Sequence, residues 1–118
     1  DNRPLGLTEI ISPNWYDYEA KYQFGGSKHV LPALVPEEIR DACYNYALKA
    51  HAALGCRGVT RIDFRWNDQK NIKGLVVLKL NTQPGMTPTS LVPEIAKYHG
   101  LEFDNLIDWI VKDASINR

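Results

Sequence analysis

Apolar residues recur at helical spacing in the segment after Pro36, and this is the clearest periodic pattern in the chain. Pro36 suits the first position of a helix, because proline has no backbone N–H to leave unpaired there. Glu37 and Glu38 then favour the positive end of the helix dipole, and Gly55 is a natural terminator. The pattern therefore predicts a helix whose apolar positions are Ile39, Cys43, Tyr46, Ala47, Ala50 and Leu54.

Two strands joined by a polar segment follow this helix. Side chains alternate from Val59 to Trp66 as in a strand, and Leu75 to Asn81 forms a second strand-like segment. The polar loop between them, Asn67 to Lys73, is too short for a crossover connection. The two strands are therefore predicted to pair in antiparallel fashion.

Shorter patterns predict the elements on either side. Pro84, Gly85 and Pro88 make residues 82–88 a loop, and Asp104 is predicted to cap a last helix. The apolar face of that helix holds Leu106, Ile107, Ile110 and Val111. The other predicted elements are a strand at Leu7–Ile11, an extended or irregular stretch at Tyr16–Tyr22, a glycine loop at residues 25–27 and a helix at Ser90–Tyr98. Helices packed with an antiparallel sheet predict an α+β layered domain.

The paired strands are predicted to place polar side chains on one face. Side chains two apart on a strand share a face, so Arg61 and Asp63 point together, and Lys79 and Asn81 do so on the neighbouring strand. Periodicity alone favours a solvated face with a salt bridge. The Pro-Gly loop after Asn81 is either a plain tight turn or a set of backbone amides that hold an anion. The predicted opposite face holds Thr60, Ile62, Phe64 and Trp66 on one strand and Val76, Leu78 and Leu80 on the other.

Charge balance and cysteine count narrow the function classes. Lys plus Arg and Asp plus Glu each number 14 in 118 residues, so no basic excess is available for a nucleic-acid backbone, and no nucleic-acid motif is present. No apolar run approaches the length of a membrane span. Cys43 and Cys56 lack metal-ligand spacing, as do the scattered His29, His51 and His99. Reduced thiols in a cytoplasmic protein are therefore expected.

Four segments resemble hallmarks of the D-alanine–D-alanine ligase family and occur in that family's order. They are residues 16–22 (YDYEAKY), 54–58 (LGCRG), 61–64 (RIDF) and 81–87 (NTQPGMT), the last followed by residues 90–94 (SLVPE). Each segment alone is moderately specific, whereas four in order are a strong signature. The resemblance implies that residues 1–118 are the C-terminal fragment of an ATP-grasp catalytic domain.

The resemblance implies an enzyme that joins two D-alanines for peptidoglycan synthesis. ATP would activate one carboxylate as an acyl phosphate, which the amine of the second D-alanine then attacks. The cofactor would be Mg²⁺, or Mn²⁺ in its place, with D-alanine and ATP as the substrates. The whole enzyme would be a cytoplasmic homodimer without nucleic-acid or membrane partners.

Individual residues take roles from the same resemblance. Lys21 would contact the transferring phosphate, and Tyr22 would help to close a mobile lid to which residues 25–28 also belong. Arg61 and the amide of Gly85 would stabilise the tetrahedral intermediate. The remaining implied roles are carboxylate binding for the second D-alanine by Ser90 and the backbone of Leu91, and magnesium binding by Asp63 and Asn81. Without the resemblance, Lys21 and Tyr22 are a surface cation beside a packed aromatic, and Ser90 is a helix cap.

Two features depart from the family's pattern. Lys79 stands where the family has a glutamate that bridges two magnesium ions, and a protonated lysine has no lone pair for a metal. We therefore expect Lys79 to pair with Asp63 and to impair binding of Mg²⁺–ATP. The second departure is extent, because the family's N-terminal domain and central nucleotide-binding lobe are absent from these residues. Catalysis by this chain alone is not expected.

Three interpretations stay open on sequence grounds. The first is a ligase fragment, which the intact motif set favours. The second is a pseudoenzyme or interaction domain that retains the scaffold, which Lys79 favours. The third is a relative of the D-alanine–D-lactate ligases, against which Tyr22 argues by analogy with the dipeptide-forming branch.

Overall fold

A computed structural model describes residues 2–12 and 28–116 of the chain. Within these residues, helices alternate with two antiparallel two-stranded sheets, which confirms the predicted α+β class. No helix of this described part combines the length and apolar content needed to cross a membrane. The chain divides into two compact units, a first made of Asp1–Pro4, Val35–Pro84 and Ile110–Arg118 and a second made of Leu5–Leu34 and Gly85–Trp109.

The first unit contains helix α1, Glu37–Ala53, in the place that the apolar spacing predicted. The helix begins after Pro36 rather than at it, because Pro36 has an extended ψ of 148° and helical geometry starts one residue later. Ile39 and Cys43 are buried on its inner face. Gly55 has a φ of 61°, a left-handed conformation that favours glycine and ends the helix.

His51, near the end of α1, is a buried polar residue of this unit. Its Nδ1 lies 2.8 Å from Oγ1 of Thr60, so a hydrogen bond ties the helix to the start of the next strand. Its Nε2 is buried without a partner among the described residues. His51 therefore has a structural role, because it links α1 to the residue before the next strand. No cluster of three or more His, Cys, Asp or Glu side chains that could hold a metal occurs in the described ranges.

Two strands of the first unit, β3 (Arg61–Trp66) and β4 (Leu75–Asn81), pair in antiparallel fashion as predicted. β3 begins two residues later than the alternation suggested. The connection is not an irregular loop, because Asp68–Gly74 forms 3₁₀ turns with a kink at Asn71. Short polar segments of this kind often take 3₁₀ geometry between regular elements.

A β-bulge interrupts the pairing of β3 with β4 at the step from Asp63 to Phe64. Phe64 lies opposite Val77, so one residue of β4 has no partner and the alternation along that strand shifts by one. Val76 consequently lies opposite Arg65. The prediction that Val76 shares the apolar face with the even-numbered residues of β4 was therefore wrong, because it assumed unbroken alternation.

The second unit contains a short sheet of β1 (Glu9–Ile11) and β2 (Lys28–Val30). β2 was missed in the sequence, since a three-residue strand carries almost no periodic signal, and Lys28 lies in this strand rather than in a lid loop. His29 on β2 bonds Glu94 through Nδ1, at 3.0 and 3.1 Å from its two carboxylate oxygens.

Two helices complete the described elements, α2 (Leu91–Tyr98) and α3 (Phe103–Asp113). Leu91, Val92 and Ala96 of α2 are buried, and so is Leu106 of α3. Asp104 lies within the first turn of α3 rather than at its cap, because the helix begins at Phe103. Its carboxylate still favours the positive end of the helix.

Gly6 packs against the end of α2 in the second unit. A Cβ at this position would lie 2.6 Å from Nε2 of His99 and 2.9 Å from Cγ2 of Ile95. We expect Gly6→Ala to lower the free energy of unfolding by about 1–3 kcal/mol, the usual cost of overpacking, in urea denaturation followed by circular dichroism. Adding His99→Ala should recover part of this loss. A Gly6→Ala protein as stable as the parent would contradict the packing.

Cys43 and Cys56 are free thiols, as expected, but they differ in exposure. Burial raises the pKa of the Cys43 thiol from 9.0 to about 11. Because this pKa is higher in the folded state, the thiol's contribution to stability is complete below pH 9 and is lost as the pH rises towards 11. We expect iodoacetamide to modify Cys56 first, and Cys43→Ala to lessen the fall in stability over that range. Equal alkylation rates, measured by mass spectrometry, would contradict this burial.

Candidate active site

Arg61 and Asp63 form a two-point ion pair on β3. Nε of Arg61 donates to Oδ1 of Asp63 at 2.7 Å, and Nη2 donates to Oδ2 at 3.1 Å. The pairing arises because side chains two apart on a strand point the same way, and the planar guanidinium matches the carboxylate. Both side chains are partly buried, with 20% and 28% of their surfaces exposed. Arg61 is thereby held in one orientation.

Lys79 and Asn81 lie opposite this pair on β4. Arg61 is the register partner of Asn81, and Asp63 is the register partner of Lys79. Residues directly opposite each other in an antiparallel pair share a face, so the four side chains form the polar patch that the sequence predicted. We call these four residues, Arg61, Asp63, Lys79 and Asn81, the polar face.

Lys79 approaches Asp63 as the sequence led us to expect. Its Nζ lies 3.8 Å from Oδ2 of Asp63, within ion-pair range but too far for a hydrogen bond. The side chain of Lys79 is 53% exposed, so this pair contributes little to stability. The pair matters for the local charge instead, because Lys79 places a positive charge beside Asp63, the only carboxylate of the polar face.

The polar face does not fit a divalent metal ion as its side chains lie. Both oxygens of Asp63 accept hydrogen bonds from Arg61, and Oδ1 of Asn81 accepts one from the backbone N–H of Gln83 at 3.0 Å. Mg²⁺ needs oxygen lone pairs, and the side chain between these two residues is an ammonium instead of a carboxylate. The role of Asp63 and Asn81 as metal ligands stays a prediction that this arrangement does not favour.

A second candidate region, the loop from Gly85 to Ser90, belongs to the second unit. Oγ of Ser90 accepts a hydrogen bond from the backbone N–H of Thr87 at 2.9 Å and lies 2.7 Å from Oγ1 of Thr87. Ser90 precedes the first residue of α2, yet its side chain makes no capping bond to the helix. A Cβ at Gly85 would lie 2.9 Å from Oγ of Ser90, so glycine permits this close approach.

Of the remaining predicted site residues, one lies at the start of α2. Leu91 is buried and begins α2, whose first backbone N–H groups have no acceptor within the helix. Lys21 and Tyr22 lie outside the described residues, so their roles stay predictions.

Gln83 and Thr87 contribute contacts that the sequence reasoning missed. Gln83 binds Asn81 through its backbone, and Thr87 binds Ser90 through both backbone and side chain. A local signal existed for both. Asn and Ser commonly bond backbone groups two or three residues away, and these side chains stand at that spacing. Both loops are therefore ordered by their own polar side chains.

The family described as D-ala D-ala ligase C-terminus matches residues 3–112 of this chain. The D-alanine–D-alanine ligase of Ruegeria sp. (strain TM1040) is 58% identical over 117 residues, which are 99% of this chain and 38% of that protein. The corresponding ligase of Cereibacter sphaeroides (strain ATCC 17025 / ATH 2.4.3) is 56% identical over the same shares. The chain thus spans about 38% of the length of these curated relatives.

Solved structures give the same family. The D-alanine–D-alanine ligase from Bacillus anthracis complexed with ATP has a TM-score of 0.69 and 28% identity, covering 90% of this chain and 34% of that one. The VanG D-Ala:D-Ser ligase from Enterococcus faecalis has a TM-score of 0.63 and 31% identity, covering 89% and 29%. These likenesses confirm the predicted ATP-grasp class. By its sequence over nearly its whole length and by its fold, this chain belongs to the D-alanine–D-alanine ligase family, whose C-terminal part it matches.

Proposed function

We propose that this chain supplies part of the active site of an enzyme that joins two D-alanines with ATP through an acyl phosphate. The observation that carries the proposal is the register of β3 and β4, which gathers three polar hallmark residues, Arg61, Asp63 and Asn81, with Lys79 on one face. Family membership supports it. A protein of this kind would act in the cytoplasm in peptidoglycan synthesis, as a homodimer, with D-alanine and ATP as substrates.

Arg61 is the residue of the polar face best suited to stabilise negative charge. Acyl transfer to an amine passes through a tetrahedral intermediate whose oxygen carries a developing charge, and a fixed guanidinium lowers its energy. Asp63 holds Nε and Nη2 of Arg61, which orients the group and leaves Nη1 to donate. In this proposal Arg61 contacts the reacting oxygen, and Asp63 positions Arg61.

The loop of the second unit is proposed to bind substrate. The carboxylate of the second D-alanine would accept hydrogen bonds from the hydroxyl of Ser90 and from the backbone N–H of Leu91, at the positive end of α2. Thr87 supports this role, because its bonds to Ser90 fix the hydroxyl in place. The amide of Gly85 is proposed to assist Arg61 in stabilising the intermediate. Lys21 and Tyr22 keep their proposed roles at the phosphate and in the lid.

Exposed apolar residues on β4 support the proposal that residues 1–118 are one part of a larger ATP-grasp domain. Val76, Val77 and Leu78 are consecutive, and 54%, 43% and 59% of their surfaces are exposed. Neighbouring side chains on a strand point to opposite faces, so these residues expose apolar surface on both sides of β4, and exposed apolar surface is one mark of a contact site. We propose that the rest of the catalytic domain covers them.

The proposal is tested in a hybrid ligase, in which this chain replaces the matching 38% of the Ruegeria sp. (strain TM1040) enzyme. The assay follows D-alanyl-D-alanine by mass spectrometry with ATP and Mg²⁺ present. In a hybrid that also carries Lys79→Glu, we expect dipeptide formation and a higher KM for D-alanine when Ser90 is replaced by alanine. A folded hybrid with the Lys79→Glu change that forms no dipeptide would refute the proposal. D-lactate and D-serine as second substrates test the alternative specificities.

A pseudoenzyme or interaction domain is the second candidate. The observation that favours it is the ammonium of Lys79 beside Asp63, at a position where the family has a carboxylate. In that case the hybrid with Lys79 would be folded but inactive in every metal. Activity of the Lys79 hybrid near that of the Ruegeria enzyme would exclude this candidate.

A further inference from the structure

In the described part of the chain, each side-chain acceptor of the polar face receives a hydrogen bond, whereas several of its donors have no acceptor. The acceptors are the two oxygens of Asp63 and Oδ1 of Asn81, and each already receives an N–H from the protein. A metal ion binds acceptors, whereas an anion binds donors. Available donors and engaged acceptors therefore favour an anion over a metal ion as the ligand of this face.

Donors without a partner come from three of the four side chains. Among residues 2–12 and 28–116, no acceptor is hydrogen-bonded to Nη1 of Arg61, to Nδ2 of Asn81 or to Nζ of Lys79. Within the described part of the chain, Lys79 has only an ion-pair contact with Asp63, at 3.8 Å. Its N–H groups therefore stay available. The exposed Lys79 side chain can adjust to a ligand.

The net charge of the polar face also favours an anion over a cation. The face has two cationic side chains and one carboxylate, and that carboxylate is already paired with the guanidinium of Arg61. The surplus positive charge therefore belongs to Lys79. A divalent cation at this face would lie beside the ammonium of Lys79, and the two like charges would repel each other.

We infer that the polar face is a phosphate-binding site that works without a metal ion, in which the ammonium of Lys79 supplies the positive charge. The ligand class is a polyphosphate or phosphoester oxyanion, held by Lys79, Nη1 of Arg61 and Nδ2 of Asn81. The choice of a phosphate over another anion rests on the proposed function. The absence of a metal requirement rests on the donors and acceptors of this chain alone.

The test uses the 118-residue chain with inorganic pyrophosphate as the probe, titrated calorimetrically in EDTA. We expect binding without metal and a loss of about tenfold or more in affinity for Lys79→Gln, since a charge-assisted bond to phosphate is lost. Lys49→Gln is the matched control, because Lys49 is an exposed lysine of α1 outside this face, and it should bind as the parent does. Circular dichroism checks that each variant is folded.

A second titration measures Mn²⁺ alone through the relaxation of water protons. The parent chain should bind no Mn²⁺ at this face, and Lys79→Glu should both gain Mn²⁺ binding and lose pyrophosphate binding in EDTA. Pyrophosphate binding that requires a metal, or that is equal in the parent and Lys79→Gln, or that is absent, would overturn the inference. None of these results bears on dipeptide formation by the hybrid ligase that carries Lys79→Glu, so failure of the inference is distinguishable from failure of the proposed function.

Discussion

Replacing Arg61 by glutamine should lower dipeptide formation by the hybrid ligase that carries Lys79→Glu by roughly 100- to 1,000-fold, the usual cost of removing one donor that stabilises the charge of a tetrahedral intermediate. Glutamine keeps an N–H donor but is shorter and neutral, and it cannot reproduce the two-point pair with Asp63. The measurement is kcat for D-alanyl-D-alanine at saturating ATP and D-alanine.

Arg40→Gln is the matched control for this substitution. Arg40 lies on the exposed surface of α1, where it pairs with Glu37 and Asp41 outside the polar face. We expect its kcat to stay within about twofold of the parent, because exposed pairs contribute little. If Arg61→Gln retained a kcat close to that of Arg40→Gln, Arg61 would not act on the reacting atoms.

Replacing Lys79 by the family's glutamate is expected to give the largest gain in affinity for ATP. In the hybrid ligase, Lys79→Glu should raise the affinity for ATP in the presence of Mg²⁺ by at least about tenfold, because it replaces a repelling ammonium with an oxygen ligand. In EDTA the gain should disappear and the affinity should fall instead, because without a metal the change only removes the ammonium that we infer to bind phosphate. Isothermal titration of ATP with and without Mg²⁺ measures both quantities.

Lys49→Glu carries the same charge change at an exposed position of α1. It should leave the affinity for Mg²⁺–ATP unchanged, which separates a local effect from an effect of net charge. If the hybrid with Lys79 and the hybrid with the Lys79→Glu change bound Mg²⁺–ATP equally well, the expectation that Lys79 impairs nucleotide binding would be defeated.

The fold was predictable where periodicity is long and unbroken. The helix after Pro36 extends over 17 residues, and its apolar spacing located it within a residue at its start. The antiparallel pairing of β3 and β4 followed from a connection too short for a crossover. β2 was not predictable, because three residues give no measurable alternation. The bulge after Asp63 was not predictable either, since it depends on how the two strands fit together.

The sequence predicted which residues of the candidate site share a face, but not which of their hydrogen-bond acceptors are already engaged. Alternation placed Arg61 with Asp63 and Lys79 with Asn81, and the register of the sheet confirms that they share a face. Which acceptors are engaged depends on side-chain geometry that no sequence pattern specifies. The Asx-type bond between Asn81 and Gln83 is an example, because it removes an acceptor that the predicted metal would need. The roles of individual residues stay predictions.

The proposed site depends most directly on the register of β3 and β4, and nuclear Overhauser contacts in the isotope-labelled chain measure it. We expect cross-strand contacts between residues 61 and 81 and between residues 63 and 79, followed by a shift that brings residue 64 next to residue 77. Such contacts would place the guanidinium, carboxylate, ammonium and amide side by side. Contacts displaced by one residue before the bulge would turn residues 79 and 81 to the other side of the sheet, and that result would contradict the shared polar face.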